Sequence, residues 1–250
     1  MSRDRLKKTI RIAIPLAFWL GVWQLAALWV DLELLLPAPL VVWDSLRTLA
    51  VTQTFWLSAL FTLLRVALGL LGGSLMGVLL AFLTHFSNWA SLLLSPAIRV
   101  IRATPVVSFI LLVYLWVARA NIPGFIAGLM VLPVVWGSVS SGLAAVDGQL
   151  LELARIYRFS PWKTLRLIYL PSLRPHFTAG FLTAFGLAWK SGVAAEVLCP
   201  PRLAIGARIQ QARLSLETAD LFAWTLVILA LSLALEALLR RALRRGVEGP

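Results

Sequence analysis

Apolar residues along this chain fall in long, nearly unbroken stretches, unlike the alternation of a half-buried strand or the narrow stripe of a soluble helix. A hydrocarbon core of roughly 30 Å takes about 20 residues of apolar helix. Six segments reach that length, at about 10–30, 55–83, 91–118, 124–146, 174–198 and 221–240. The pattern predicts an all-α, polytopic membrane bundle of about six spans, forming a single transmembrane domain over residues 1–250. Pro96, Arg99, Arg102 and Pro105 interrupt the third segment, so it is expected to be a broken element covered by protein or water. In the second, Gly69, Gly73 and Gly77 make two overlapping GxxxG steps on one helix face. Such a stripe lets another helix approach closely, inside the bundle or across a dimer seam; lining a substrate path is its other use.

One internal segment, 147–173, is too polar to span and is patterned as two short helices. Leu150, Leu153, Ala154 and Tyr157 recur at the spacing of one apolar face, with Glu152 and Arg155 positioned to pair at i, i+3. Ser160 and Pro161 form a helix start, Ser as N-cap and Pro as first helical residue. Trp162, Leu165, Ile168 and Tyr169 are then the buried face, and Pro171 is the expected stop. An amphipathic hairpin of this kind serves either as a knob gripped by a soluble partner or as a helix lying on the membrane surface.

Composition agrees with the bilayer: 60% of residues are hydrophobic and 14% charged. The net charge of +12 would suit nucleic acid, but all of the 23 Lys and Arg except Arg65, Arg99, Arg102 and Lys190 fall at span ends or between spans, so the lipid bilayer is the expected partner and nucleic acid is not. With the N-terminus inside, the cytoplasmic side holds Arg3, Arg5, Lys7, Lys8, Arg11, Arg155, Arg158, Lys163, Arg166, Arg174, Arg240, Arg241, Arg244 and Arg245. The other side holds Arg47, Arg119, Arg202, Arg208 and Arg213. This split predicts both termini and segment 147–173 in the cytoplasm, and a bacterial inner membrane is the expected address. Residues 10–30 are read as a first span rather than a cleaved signal. Trp19, Trp29, Trp56, Trp89, Trp116 and Trp224 fall near span ends, where interfacial anchors sit.

Cys199 is the single cysteine, and His85 and His176 are isolated, so no disulfide framework, metal site or catalytic pattern is expected. No Ser/Lys pair, paired Asp or H-E-x-x-H suits an intramembrane enzyme, and no internal repeat marks inverted halves. Charged residues inside spans cost about 2.5–3.5 kcal/mol on insertion scales, so each calls for an explanation. Lys190 lies deepest, in the run Gly186–Gly192 with Trp189 and Ser191. It either helps form an electropositive patch for an anionic solute, pairs with a carboxylate such as Glu196 of an opposing subunit, or snorkels. Glu196 itself reads as a packing ion pair or a gate. Arg65 and Arg102 read as partners of backbone carbonyls or helix ends on the cytoplasmic side, with Arg102 and Thr104 also candidates for the substrate path.

The spacing Glu152-Leu-Ala154, Arg158, Ile168-Tyr-Leu170-Pro171 resembles the EAA loop of binding-protein-dependent ABC importer permeases, E-A-A-x3-G-x9-I-x-L-P. Leu153 replaces the second Ala and Arg158 replaces the Gly. Thr62-Leu-Leu-Arg65-Val-Ala-Leu-Gly69, Ser95-Pro96 with Arg102-Ala-Thr104-Pro105, and Ala194-Ala195-Glu196 are similar to the nitrate, sulfonate and taurine branch, which includes permeases for thiamine-precursor pyrimidines. The resemblance implies a type I permease working by alternating access, two copies facing each other. Residues 149–160 of each would insert into a cytoplasmic ABC ATPase dimer, and an extracytoplasmic binding protein would supply the solute. Glu152, Ala154, Arg155, Tyr157, Arg158, Ser160, Pro161, Ile168, Leu170 and Pro171 are the implied coupling residues. The chain has no G-x-x-x-x-G-K-[ST] loop, so no cofactor is expected on it; ATP and Mg belong on the ATPase. A transporter or channel working alone is the other reading, distinguished by whether an ATPase co-purifies.

Overall fold

The computed structural model describes residues 3–247, with side chains over 11–243 apart from Ile12. Arg3, Arg5, Lys7, Lys8, Arg244 and Arg245, counted above for orientation, lie outside the described side chains. All regular structure among the described residues is helical. In chain order the helices are α1 (Arg3–Val30), α2 (Pro39–Ala50), α3 (Gln53–Phe86), α4 (Asn88–Ala103), α5 (Val106–Val113), α6 (Ile122–Ala144), α7 (Gly148–Ile156), α8 (Pro161–Thr164), α9 (Leu170–Leu198), α10 (Ile205–Leu214) and α11 (Thr218–Val247). A π-helical turn, Leu165–Tyr169, joins α8 to α9. Five helical runs are long and apolar enough to cross a bilayer, and α4 with α5, bent by 105° at Thr104–Pro105, makes a sixth. The bend follows from Pro105, which has no N–H to continue α4 and disfavours helical geometry at the residue before it.

Three helices form the centre. Along α3, Gly69 meets Gly124 and Gly77 meets Leu132 and Val135, so α3 and α6 run parallel. A Cβ on Gly69 or Gly73 would fall inside contact distance of the backbone of Gly124 or Gly128, so the glycine stripe is the seam between two helices of one chain. Helix α9 returns antiparallel to α6, with Gly142 beside Leu173 and His176, Gly180 against Ser138, and Gly192 near Pro123 and Ala127. Val66, Leu70, Val131, Val135, Ala184 and Ala188 fill the space between these helices. Helix α1 stands mostly free of the bundle, touching it where Trp23 stacks on Phe222 and donates to the carbonyl of Pro37.

The bundle has a basic end, carrying α7, α8 and the N-terminal turns of α9, and a far end, carrying α10. Several expectations are corrected here. Pro171 does not stop a helix: α8, the π turn and α9 form one run from Pro161 to Leu198. Leu170 N–H reaches back five residues to the carbonyl of Leu165, and this widened turn, immediately before Pro171, absorbs the missing donor and the ring. The helix that carries the fifth span therefore begins inside the segment read as a loop. Trp162 is exposed rather than buried. Trp224 is no interfacial anchor: it is 3% exposed and stacks on Phe55. Helices α2 and α10 had no counterpart in the apolar pattern.

Candidate functional site

At the basic end Asp147 caps α7 by accepting from Gln149 N–H at 2.8 Å, and Ser160 caps α8 by accepting from Lys163 N–H at 3.3 Å, with Pro161 at the first helical position. Between them α7 ends in a Schellman motif: Phe159 N–H donates to the carbonyl of Ala154 at 2.8 Å, and Arg158 N–H to that of Arg155 at 3.0 Å. Arg158 stands at the left-handed position with φ of +50°, the conformation that glycine adopts without strain and any other residue at a cost of roughly 1–2 kcal/mol. At the position where the EAA pattern has Gly, Arg158 thus takes the conformation that glycine adopts most readily. Lys163 lies over the Phe159 ring at 4.1 Å, bracing the bend.

The two faces of α7 are not distributed as the periodicity suggested. Only Ala154 is buried, packed inside the hairpin near Phe159, Thr164 and Tyr169. Leu150 and Leu153 are exposed, as are Ile156 at 76% and Tyr157 at 67%. Glu152 and Arg155 are both exposed and form no ion pair with each other. Ile168 is buried in the π turn, whereas Leu170 and Pro171 are exposed on α9. The result is a capped knob whose apolar outer face is left exposed by the described residues.

In the second half of α9 the run Gly186–Gly192 divides by helical phase. Trp189 and Ser191 are buried at 3%, pointing into the bundle, and the Trp189 Nε1 has no hydrogen-bond partner among the described residues. Lys190 points out, on a face with Ala179, Thr183 and the half-buried Gly186. It lies eight residues before the end of α9, about 12 Å along the axis. On α4, Arg102 is exposed and the Thr104 hydroxyl turns back to the Val100 carbonyl at 2.8 Å. Of the six residues assigned to a substrate path, Lys190 and Arg102 are therefore open, and Trp189, Ser191 and Glu196 are enclosed.

Glu196 belongs to a different structure, at the far end. Its carboxylate is wholly buried and accepts from the Thr62 hydroxyl at 2.8 Å, from Gly206 N–H at 3.1 Å, and from Arg65 at 3.4 Å. Arg65 also donates to the carbonyls of Ala120 at 3.0 Å and Leu203 at 2.6 Å. The Thr62 oxygen in turn accepts from Ile205 N–H at 3.0 Å. Helix α10 has no N-cap side chain of its own, since Ala204 stands there. Its first two N–H groups are instead satisfied by Thr62 and Glu196, and the carboxylate also meets the positive end of the helix dipole. Gly206 is obligatory because a Cβ would strike the Glu196 side chain at 2.5 Å. Arg65 partners backbone carbonyls as expected, but at the far end and not on the basic side. With its lone pairs engaged inside one chain, Glu196 is not the counterion of Lys190 in an opposing subunit.

Two comparisons of sequence and one of structure bear on this arrangement. The family described as "Binding-protein-dependent transport system inner membrane component" matches residues 73–248. Over 98% of its length the chain is 27% identical to the taurine transport system permease protein TauC of Escherichia coli, covering 90% of that protein. It is 25% identical to the nitrate import permease protein NrtB of Synechococcus elongatus, over 79% of this chain and 75% of that one. The fold matches the crystal structure of a bacterial ABC transporter involved in the import of the acidic polysaccharide alginate, with a TM-score of 0.66, 16% identity, and coverage of 96% and 99% of the two chains. The chain belongs to the inner membrane components of binding-protein-dependent transport systems. It is an integral membrane permease of an ABC transporter, a transport subunit rather than an enzyme, and its family partners are an ATPase and a solute-binding protein.

Proposed function

We propose that this permease pairs with a second copy of itself and imports a small anion by alternating access, driven by an ABC ATPase dimer docked on α7. The observation that carries the reading is the uncovered apolar face of Leu150, Leu153, Ile156 and Tyr157 on the first arm of a hairpin stiffened at both caps, with Trp162 exposed on its second arm. Exposed apolar side chains clustered on one short helix mark an interaction site. The excess of Lys and Arg supports placing this end, and both termini, on the cytoplasmic side of the inner membrane. ATP and Mg then act on the ATPase, and an extracytoplasmic binding protein delivers the solute at the far end. The whole chain serves as one permease domain.

The anionic solute rests on charge bookkeeping around Lys190. Eleven Asp and Glu occur in the chain, and within the proposed spans the carboxylates are Glu196 and Glu236, bound to Arg65 and Arg240. Within the proposed spans neither this chain nor an identical copy has a spare acid for Lys190, so a cation on an exposed face, beside Ala179, Thr183 and Leu187, favours passage of a negative group. Relatives that carry taurine and nitrate are consistent with that class.

The test is co-purification with the ATPase from mild detergent, followed by transport in vesicles. Ile156→Asp puts a charge on the apolar face and is expected to weaken ATPase binding about 30-fold or more, the scale of an interface hot spot. Lys190→Met is expected to leave ATPase binding intact while cutting anion transport at least about ten-fold. An ATPase that binds and couples normally to Ile156→Asp removes α7 as the docking element. Unchanged anion transport by Lys190→Met removes the cation from the path.

A further inference from the structure

We infer that the groove between α3, α6 and α9 at the basic end is a binding site for an anionic phospholipid of the cytoplasmic leaflet. The groove holds about 570 Å3, within the ~300–1,000 Å3 of ligand sites in general. Val78 and Phe82 of α3, Val139 of α6, and Leu170, Leu173 and Phe177 of α9 form its walls. One lining residue is charged: Arg174, which is exposed and has no carboxylate within salt-bridge distance among the described residues. An apolar slot with an exposed arginine among its lining residues offers something to both parts of such a lipid, the acyl chain and the phosphate.

The direction of the groove argues for lipid over solute or a second copy. At 3.6 residues per turn, Leu170, Leu173, Arg174 and Phe177 share one side of α9, and Ala179, Thr183, Gly186 and Lys190 lie about 180° around the helix. If the Lys190 face borders the path between two copies, the groove opens away from it, toward the membrane. The inference rests on that reading, and on the basic end being cytoplasmic, where the leaflet surface is negative. The exposed Lys163 and Arg166, upstream on the same helical run, add to the local positive field.

The experiment uses the full chain with its ATPase, reconstituted in an equal mixture of dioleoylphosphatidylglycerol and dioleoylphosphatidylcholine. Lipid retained on release is counted by native mass spectrometry. Wild type is expected to retain the glycerol lipid over the choline lipid by about five-fold, the worth of one well-placed Arg near the surface. Arg174→Gln, a change of an exposed side chain, should bring the ratio to about one. Val139→Trp, which fills the slot, should remove both lipids. Equal retention by wild type, or an unchanged preference in Arg174→Gln, overturns the site. So does a Val139→Trp variant that keeps its lipid but loses dimerisation, because a second copy would then be what covers the groove. ATPase retention, read in the same spectra, separates failure of the lipid site from failure of the α7 docking reading.

Discussion

Gly73→Val is expected to leave no stably folded permease. A Cβ at this position would sit 2.8 Å from the Gly128 Cα and closer still to the Gly128 carbonyl oxygen. Both obstacles are backbone, so α3 and α6 must part along the seam rather than swing a side chain aside. In a membrane, helix association depends on close packing because lipid is as apolar as the side chains it replaces. Ordinary overpacking costs about 1–3 kcal/mol, and separation of this central pair is expected to exceed that range. The measurement is yield of monodisperse protein and the unfolding midpoint in detergent. Gly72→Ala supplies the control, because a Cβ there meets nothing within 4 Å, and it should behave as wild type or slightly better. Should the two variants prove equally stable, the close approach at Gly73 is wrong.

Glu196→Ala is the second large effect. Removing the acid leaves the partly buried Arg65 guanidinium with carbonyl partners but without its carboxylate, and exposes the Gly206 N–H to an empty cavity. Breaking a buried pair from one side costs about 3–5 kcal/mol. Glu196→Gln keeps an acceptor for Gly206 and Thr62, and should lose clearly less. Thr62→Val should cost about 1–3 kcal/mol, because the buried Ile205 N–H is left without its acceptor. Hydrogen exchange at Ile205 and Gly206 distinguishes this capping role from a general loss of stability: it should accelerate in Thr62→Val before the spans themselves open. Unchanged exchange at both amides in Glu196→Ala would show that α10 is held by something else.

The spans were readable because their signal is length, which survives one-dimensional inspection. Helices α2 and α10 were missed for the complementary reason, being short and half-covered by neighbours distant in sequence. Within the spans, run composition was a poor guide to facing. Trp189, Lys190 and Ser191 are adjacent in sequence, yet the 100° step per residue sends the first and third inward and the second outward. Glu196 was legible as a costly residue but not as a cap, since its partner Thr62 lies 134 positions earlier. At the hairpin, the caps Ser160 and Pro161 were local and therefore visible. The fate of α7's apolar face was not, because periodicity marks a face without saying whether this chain or another covers it. Pro171 misled because proline need not end a helix: here the widened π turn before it spares the missing donor and makes room for the ring, and Pro96, Pro133 and Pro175 also lie inside helices.

That turn has a mechanical consequence. Because Pro161 to Leu198 is one helical run of 38 residues, roughly 57 Å long at 1.5 Å per residue, the second arm of the hairpin and the residue that caps α10 are parts of a single lever. A small tilt imposed at Pro161 has one continuous helix along which to reach Lys190 and Glu196, with the π turn and Pro175 as the places where that helix can bend, so the two ends of the bundle are joined by covalent continuity.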